Sequence, residues 1–129
     1  MGGAADVSTT CYRVQDDEGR GPWRPGFSRT WIDESAPVDR LRETIFDLVH
    51  PNLLRQFAST YHVGSACRTR AAIDQWFTPI ERARLEARGY HVVRLVADVV
   101  IAESDWQVVI GRARPFTEGA TRFRWNFRV

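Results

Sequence analysis

The sequence predicts an α+β fold: a single domain with a mainly antiparallel sheet and three or four helices. Three observations lead there. The chain has 129 residues, the usual length of one domain. Helix signals crowd into its middle, where Thr78-Pro79-Ile80-Glu81 offers an N-cap, a first-turn proline and a capping-box glutamate. Strand signals flank that middle, and the last is the clearest. Across Thr121–Val129, Phe123, Trp125, Phe127 and Val129 alternate with Arg122, Arg124, Asn126 and Arg128, the pattern of a half-buried antiparallel strand.

The elements follow in order. Residues 1–10 are rich in Gly, Ala and Ser and read as a flexible tail, with the domain spanning 11–129. Cys11–Gln15 reads as a short strand with Tyr12 and Val14 on one face and Cys11, Arg13 and Gln15 on the other. Asp16–Gly26 holds three Gly and two Pro and is a loop. From Pro37, the spacing of Val38, Leu41, Ile45 and Leu48 predicts a helix that His50-Pro51 ends. A second short helix fits Asn52–Tyr61, and Tyr61–Ser65 is a strand interrupted by Gly64. Thr69 caps a helix through Phe77; the next runs from Thr78 to Arg88 and stops at Gly89. Tyr90–Val96 and Asp105–Arg112 complete the strands.

Composition limits the function classes. Hydrophobic residues make up 43% of the chain, enough for a core without a disulfide or metal staple. Net charge is +2, too balanced to require a polyanionic partner, and every basic residue is Arg. Cys11 and Cys67 lie far apart and match no zinc spacing, so no metal is expected and a reduced, cytoplasmic setting is. No apolar run reaches the roughly 20 residues that cross a membrane, and the first ten residues lack the pattern of a signal peptide.

Walker-type loops, dinucleotide-binding glycine fingerprints, zinc-protease and serine-hydrolase motifs are all absent. His50, His62 and His91 share no ligand spacing, and nothing in the sequence marks Cys67 as activated. What remains is a dispersed set: Arg13 beside Tyr12 on the first strand, the cluster Ser65 to Thr69 feeding a helix, and Glu103 and Gln107 bracketing the start of a late strand. In this order the set resembles the ADP-ribosyltransferase family. The resemblance implies that Arg13 binds the phosphates of NAD, that Ser65 orients the nicotinamide ribose, and that Glu103 or Gln107 acts on the ribosyl centre. It also implies that the Gly21-Pro22-Trp23-Arg24-Pro25-Gly26 loop covers the cleft, with Trp23 stacking there. A guanidinium fork suits phosphate, and a carboxylate suits an oxocarbenium-like carbon. With Gln107 in the key place, NAD binding without transfer is the expectation.

A second resemblance rests on Tyr12-Arg13-Val14, Gly21-Pro22-Trp23-Arg24, Gln75-Trp76-Phe77, Leu85, Gly89-Tyr90 and Gln107-Val108-Val109. These are similar to a group of small phage and prophage proteins with no assigned activity, and imply an accessory role against a host or defence component. Two non-enzymatic alternatives stand beside the NAD reading. Arg112, Arg114, Arg122, Arg124 and Arg128 could share one hairpin face that holds single-stranded nucleic acid. Trp23 and Trp31 could anchor a host protein.

Overall fold

Two three-stranded antiparallel sheets and four α-helices make up the described part of the chain. The computed structural model describes residues 8–35 and 43–126. The strands are β1 (Thr9–Gln15), β2 (His62–Ala66), β3 (His91–Ala97), β4 (Val99–Glu103), β5 (Val108–Arg112) and β6 (Thr121–Phe123). The helices are α1 (Ile45–Leu48), α2 (Pro51–Ala58), α3 (Arg70–Trp76) and α4 (Pro79–Ala87), with a 3-10 turn at Ser28–Thr30. The α+β class therefore holds. No helix among the described residues is long and apolar enough to cross a membrane.

One sheet runs β1-β3-β6 and the other β2-β5-β4. Among the described residues they meet at a single bridge, where Tyr12 and Cys67 exchange backbone hydrogen bonds of 2.8 and 2.7 Å. The strands thus form one series, β4-β5-β2-β1-β3-β6, split at that bridge. Alternation along β1 and β3 sorts side chains to the two faces of their sheet. Cys11, Val93, Leu95 and Ala97 pack against Ala66, Val108 and Ile110 of the other sheet, with Phe116 closing one side. On the opposite face Val14 and Val92 meet Trp31, Trp76, Phe77, Leu85, Tyr90 and Trp125. Aromatic rings fill most of that second core, as their size dictates.

The helix caps behave as their residues require. Thr78 accepts the Glu81 N–H, and the Glu81 carboxylate accepts the Thr78 N–H at 2.9 Å. The second Glu81 oxygen accepts the Asp33 N–H at 2.9 Å, so one buried carboxylate ties α4 to the long loop. Gly89 takes φ +84°, the left-handed cap that stops α4. Thr69 accepts from the Ala72 N–H at the head of α3.

Several expectations need correction. Strand β1 begins at Thr9, two residues inside the expected tail; residues 1–7 lie outside the described residues. The helix expected from Pro37 does not run unbroken to Leu48, because Thr44 is extended (φ −111°, ψ 168°) and caps the one-turn α1; residues 36–42 lie outside the described residues. Strand β4 differs from the expectation because Val99–Glu103 lacks alternation: four positions are partly exposed and Glu103 is exposed on a bulged edge strand. The late strand starts at Val108 and not Asp105, because Ser104 turns the chain by accepting the Trp106 and Gln107 N–H groups. Pairing of β6 ends at Phe123. Beyond it, the Trp125 indole donates to the Tyr90 carbonyl at 2.8 Å and Arg82 donates to the Asn126 carbonyl; residues 127–129 lie outside the described residues.

Replacing Glu81 with Ala removes the acceptor of two backbone N–H groups at the loop-to-helix tie. Stability should fall by about 2–4 kcal/mol, read as a lower urea midpoint at an unchanged slope.

Candidate functional site

Arg13 sits on β1 with its side chain turned to the same face as Cys11, and it is buried. Its guanidinium donates to the Ser65 carbonyl at 2.8 Å, to the Gly19 carbonyl at 3.0 Å and to Gln15 Oε1 at 3.1 Å. The plane lies over the Phe116 ring, 4.2 Å from its centre. No carboxylate pairs with it among the described residues. Burial pushes its pKa down to about 10, so the group remains a cation at neutral pH. Further N–H groups of the fork stay uncommitted.

Two glycines make room for this group. A Cβ at Gly64 would stand 2.6 Å from Arg13 Nη1 and 3.1 Å from the Phe116 ring. One at Gly21 would stand 3.4 Å from Nη2. The glycine that interrupts the alternation of β2 is there to let a guanidinium cross the strand.

Ser65 lies next to Gly64 on β2, and its hydroxyl donates to Gln107 Oε1 at 2.8 Å. Gln107 is buried at the head of β5, and its Nε2 donates to Glu43 Oε1 at 3.0 Å. The Ser104 hydroxyl donates to the same Glu43 oxygen. A carboxylate only accepts, which fixes the Gln107 amide with its NH2 toward Glu43 and its carbonyl toward Ser65. Glu43 arrives from the residue before the α1 cap, where Asp47 accepts the Thr44 N–H at 2.7 Å.

Arg13, Ser65, Gln107, Trp23, Arg24 and Glu43 all line one cleft of about 340 Å³, within the range of small-molecule sites. Trp23 lies in the aromatic layer, 4.4 Å from Trp76 and edge-on to Trp31 at 5.7 Å. Its buried indole N–H has no acceptor among the described residues. Arg24 covers Phe27 at 4.4 Å and donates to the Tyr90 hydroxyl at 2.7 Å, while its buried Nε has no partner there.

The structure thus brings together four of the five residues singled out from the sequence. Glu103 is the exception: it ends β4 on the surface, bound by Arg68 at 2.6 and 2.8 Å. That hydrogen-bonded pairing holds its carboxyl below the usual range. Register explains the divergence, since Glu103 pairs with Val108 across the hairpin while Gln107 lies in the turn between them. Sequence reasoning placed Arg24 in the loop over the cleft without assigning it a role in holding NAD, and missed Glu43. Thr44 and Asp47 signal a helix start, but nothing in the sequence links Glu43 to Gln107, 64 positions away.

The other candidates lie elsewhere. Strands β5 and β6 belong to different sheets and form no hairpin. Arg112 is buried and donates to the Pro115 and Glu118 carbonyls, while Arg122 pairs with Asp17 at 2.9 Å. Trp31 is fully buried, its indole donating to the Pro22 carbonyl. Cys11 and Cys67 are both free and buried; burial raises their pKa values to about 11 and about 12.

Gly64→Ala should cost about 1–3 kcal/mol, because guanidinium and Phe116 must both shift; Gly21→Ala should cost much less, and thermal melts compare the two. The thiols give a pH prediction. Their folded pKa values lie above the ordinary 9.0, so the unfolded chain loses these protons first. Their contribution to stability is complete below pH 9 and disappears as pH rises through about 11 and 12. Urea titrations of Cys11→Ala and Cys67→Ala chains should show a weaker alkaline decline than wild type, and thiol reagents at pH 8 should label only on unfolding.

No protein-family model, curated protein or solved structure matches this chain.

Proposed function

We propose that this domain binds NAD in the cleft between β1, β2 and the head of β5, and transfers ADP-ribose from it to a host target. One observation carries the reading: two opposite charges, neither ion-paired among the described residues, share one small cavity. Arg13 is a buried cation without a carboxylate, and Glu43 is a carboxylate without a cation. Arg13 is buried and Glu43 half-buried; burying a charge unpaired is costly, so a group such as Arg13 persists where a ligand completes it. A ligand that fits has an anionic part and a flat cationic part. NAD has both: a pyrophosphate and the pyridinium ring of its nicotinamide.

In this reading the Arg13 fork and Arg24 hold the pyrophosphate, since planar guanidinium suits phosphate oxygens. Ser65, whose hydrogen is spent on Gln107, turns its lone pairs to the ribose hydroxyls. Trp23 offers an aromatic edge and an unspent indole N–H to the carboxamide. The cleft volume suits the nicotinamide ribose half, with the adenosine half beyond its mouth. The order of Arg13, Ser65 and Gln107 along the chain supports the same reading through its resemblance to ADP-ribosyltransferases. The nucleic-acid alternative has less support, because Arg112 is internal and Arg122 and Arg114 face carboxylates.

Calorimetry with NAD tests this directly. Binding should appear at or below the millimolar range. Arg13→Lys should weaken NAD and ADP-ribose alike by about 10–100-fold, since an ammonium lacks the fork. Because that change touches the core, Ser65→Ala serves as a second variant, expected to fold normally and lose several-fold in affinity. The absence of any heat with millimolar NAD, from a chain shown to be folded, sinks the proposal.

A further inference from the structure

We propose that Glu43 is the catalytic carboxylate of this cleft and that Gln107 is its positioning residue. The assignment rests on the NAD reading above and deepens it. A transferase of this kind needs a negative group where positive charge develops on the ribose. Gln107 cannot supply one, and Glu103 is on the surface with Arg68. Glu43 supplies it from another part of the chain.

The geometry is specific. Both donors to the Glu43 side chain, Gln107 Nε2 and the Ser104 hydroxyl, fall on Oε1. Oε2 accepts no hydrogen bond among the described residues. Gln107 is itself fixed, buried and bound on its other side by Ser65. The relay from Ser65 through Gln107 to Glu43 therefore joins the ribose-binding hydroxyl to the carboxylate. It also explains why an amide stands at the head of β5. A glutamate at 107 would place a second carboxylate about 3 Å from Glu43, and two like charges at that range repel. Position 107 is an amide because position 43 is an acid.

The step balances without a co-reactant beyond NAD and the acceptor. The bond between ribose C1′ and the pyridinium nitrogen breaks, and its electron pair goes to the nitrogen, so nicotinamide leaves neutral. Positive charge passes to C1′ and the ring oxygen, where Oε2 stabilises it. An acceptor O–H or N–H, or water, then bonds to C1′ and gives its proton to Glu43, which returns it to solvent.

The test compares the wild-type chain with Glu43→Gln, Glu43→Asp and Glu103→Gln, each checked for folding by circular dichroism. The first readout is calorimetric affinity for NAD and for NADH, which differ by the ring's positive charge. Wild type should prefer NAD by roughly tenfold, and Glu43→Gln should bind both alike. The second is nicotinamide released from NAD, measured by chromatography. Glu43→Gln should be slower by about 100-fold, Glu43→Asp should recover part of the loss, and Glu103→Gln should match wild type. A Glu43→Gln chain that keeps the NAD preference and the wild-type release rate overturns the assignment alone. Wild type that binds NAD and releases no nicotinamide also overturns it. Wild type that binds no NAD overturns the reading beneath it and the assignment with it.

Discussion

The site depends on one constraint: a guanidinium buried with no counter-ion among the described residues. Arg13 is held by the Gly19, Ser65 and Gln15 oxygens and by the face of Phe116. Each contact fixes a different segment. Gly19 belongs to the loop after β1, Ser65 to β2, and Phe116 to the turn before β6. Neutral acceptors can orient a cation, but they do not cancel its charge. The group is thus rigid and electrostatically unfinished at once. That is the state of a preorganised binding group, whose cost is met in folding so that little remains to be ordered when an anion arrives.

The opposite wall has the complementary problem and a different solution. Glu43 is set by two neutral donors on one oxygen, leaving the other without a hydrogen-bond partner among the described residues. Had Arg13 and Glu43 met, they would have formed an ordinary buried ion pair and closed the cleft. They are kept apart by what each already holds. Arg13 is drawn toward Phe116 and the Gly19 loop, and Glu43 toward the turn at Ser104. Charge separation across a small cavity is therefore a product of hydrogen bonding to neutral groups on both sides.

Much of the fold was legible because its signals are local. The capping box at Thr78, the left-handed glycine at Gly89, the alternation along β1 and the β-branched run of β3 each depend on neighbouring residues. Strand β4 was illegible, since an edge strand with no buried position shows no period. Truncation of β6 was illegible too, because the Trp125 indole and Arg82 redirect the chain through tertiary bonds. For the site, Arg13, Ser65, Gln107 and Trp23 could be picked out by order and residue type. The choice between Glu103 and Gln107 could not be made, as it turns on a hairpin register set by Ser104. Glu43 had no signal at all, because its meaning comes only from contact with Gln107.

The location of the cleft follows from where the two sheets part. Strands β1 and β2 share one bridge, Tyr12 with Cys67, and then diverge. Beyond the bridge the backbone ladder no longer reaches across, and the Ser65 carbonyl on the β2 side needs a donor. Arg13 provides it through its side chain, a longer reach than a backbone N–H has. The gap must hold a flat guanidinium, and only glycine at 64 leaves space for it. The same separation leaves Ser65 and Gln107 facing an opening instead of a neighbouring strand. A cation, a hydroxyl and an amide thus gather at one point because the sheet splits there, and the split persists because the cation bridges it.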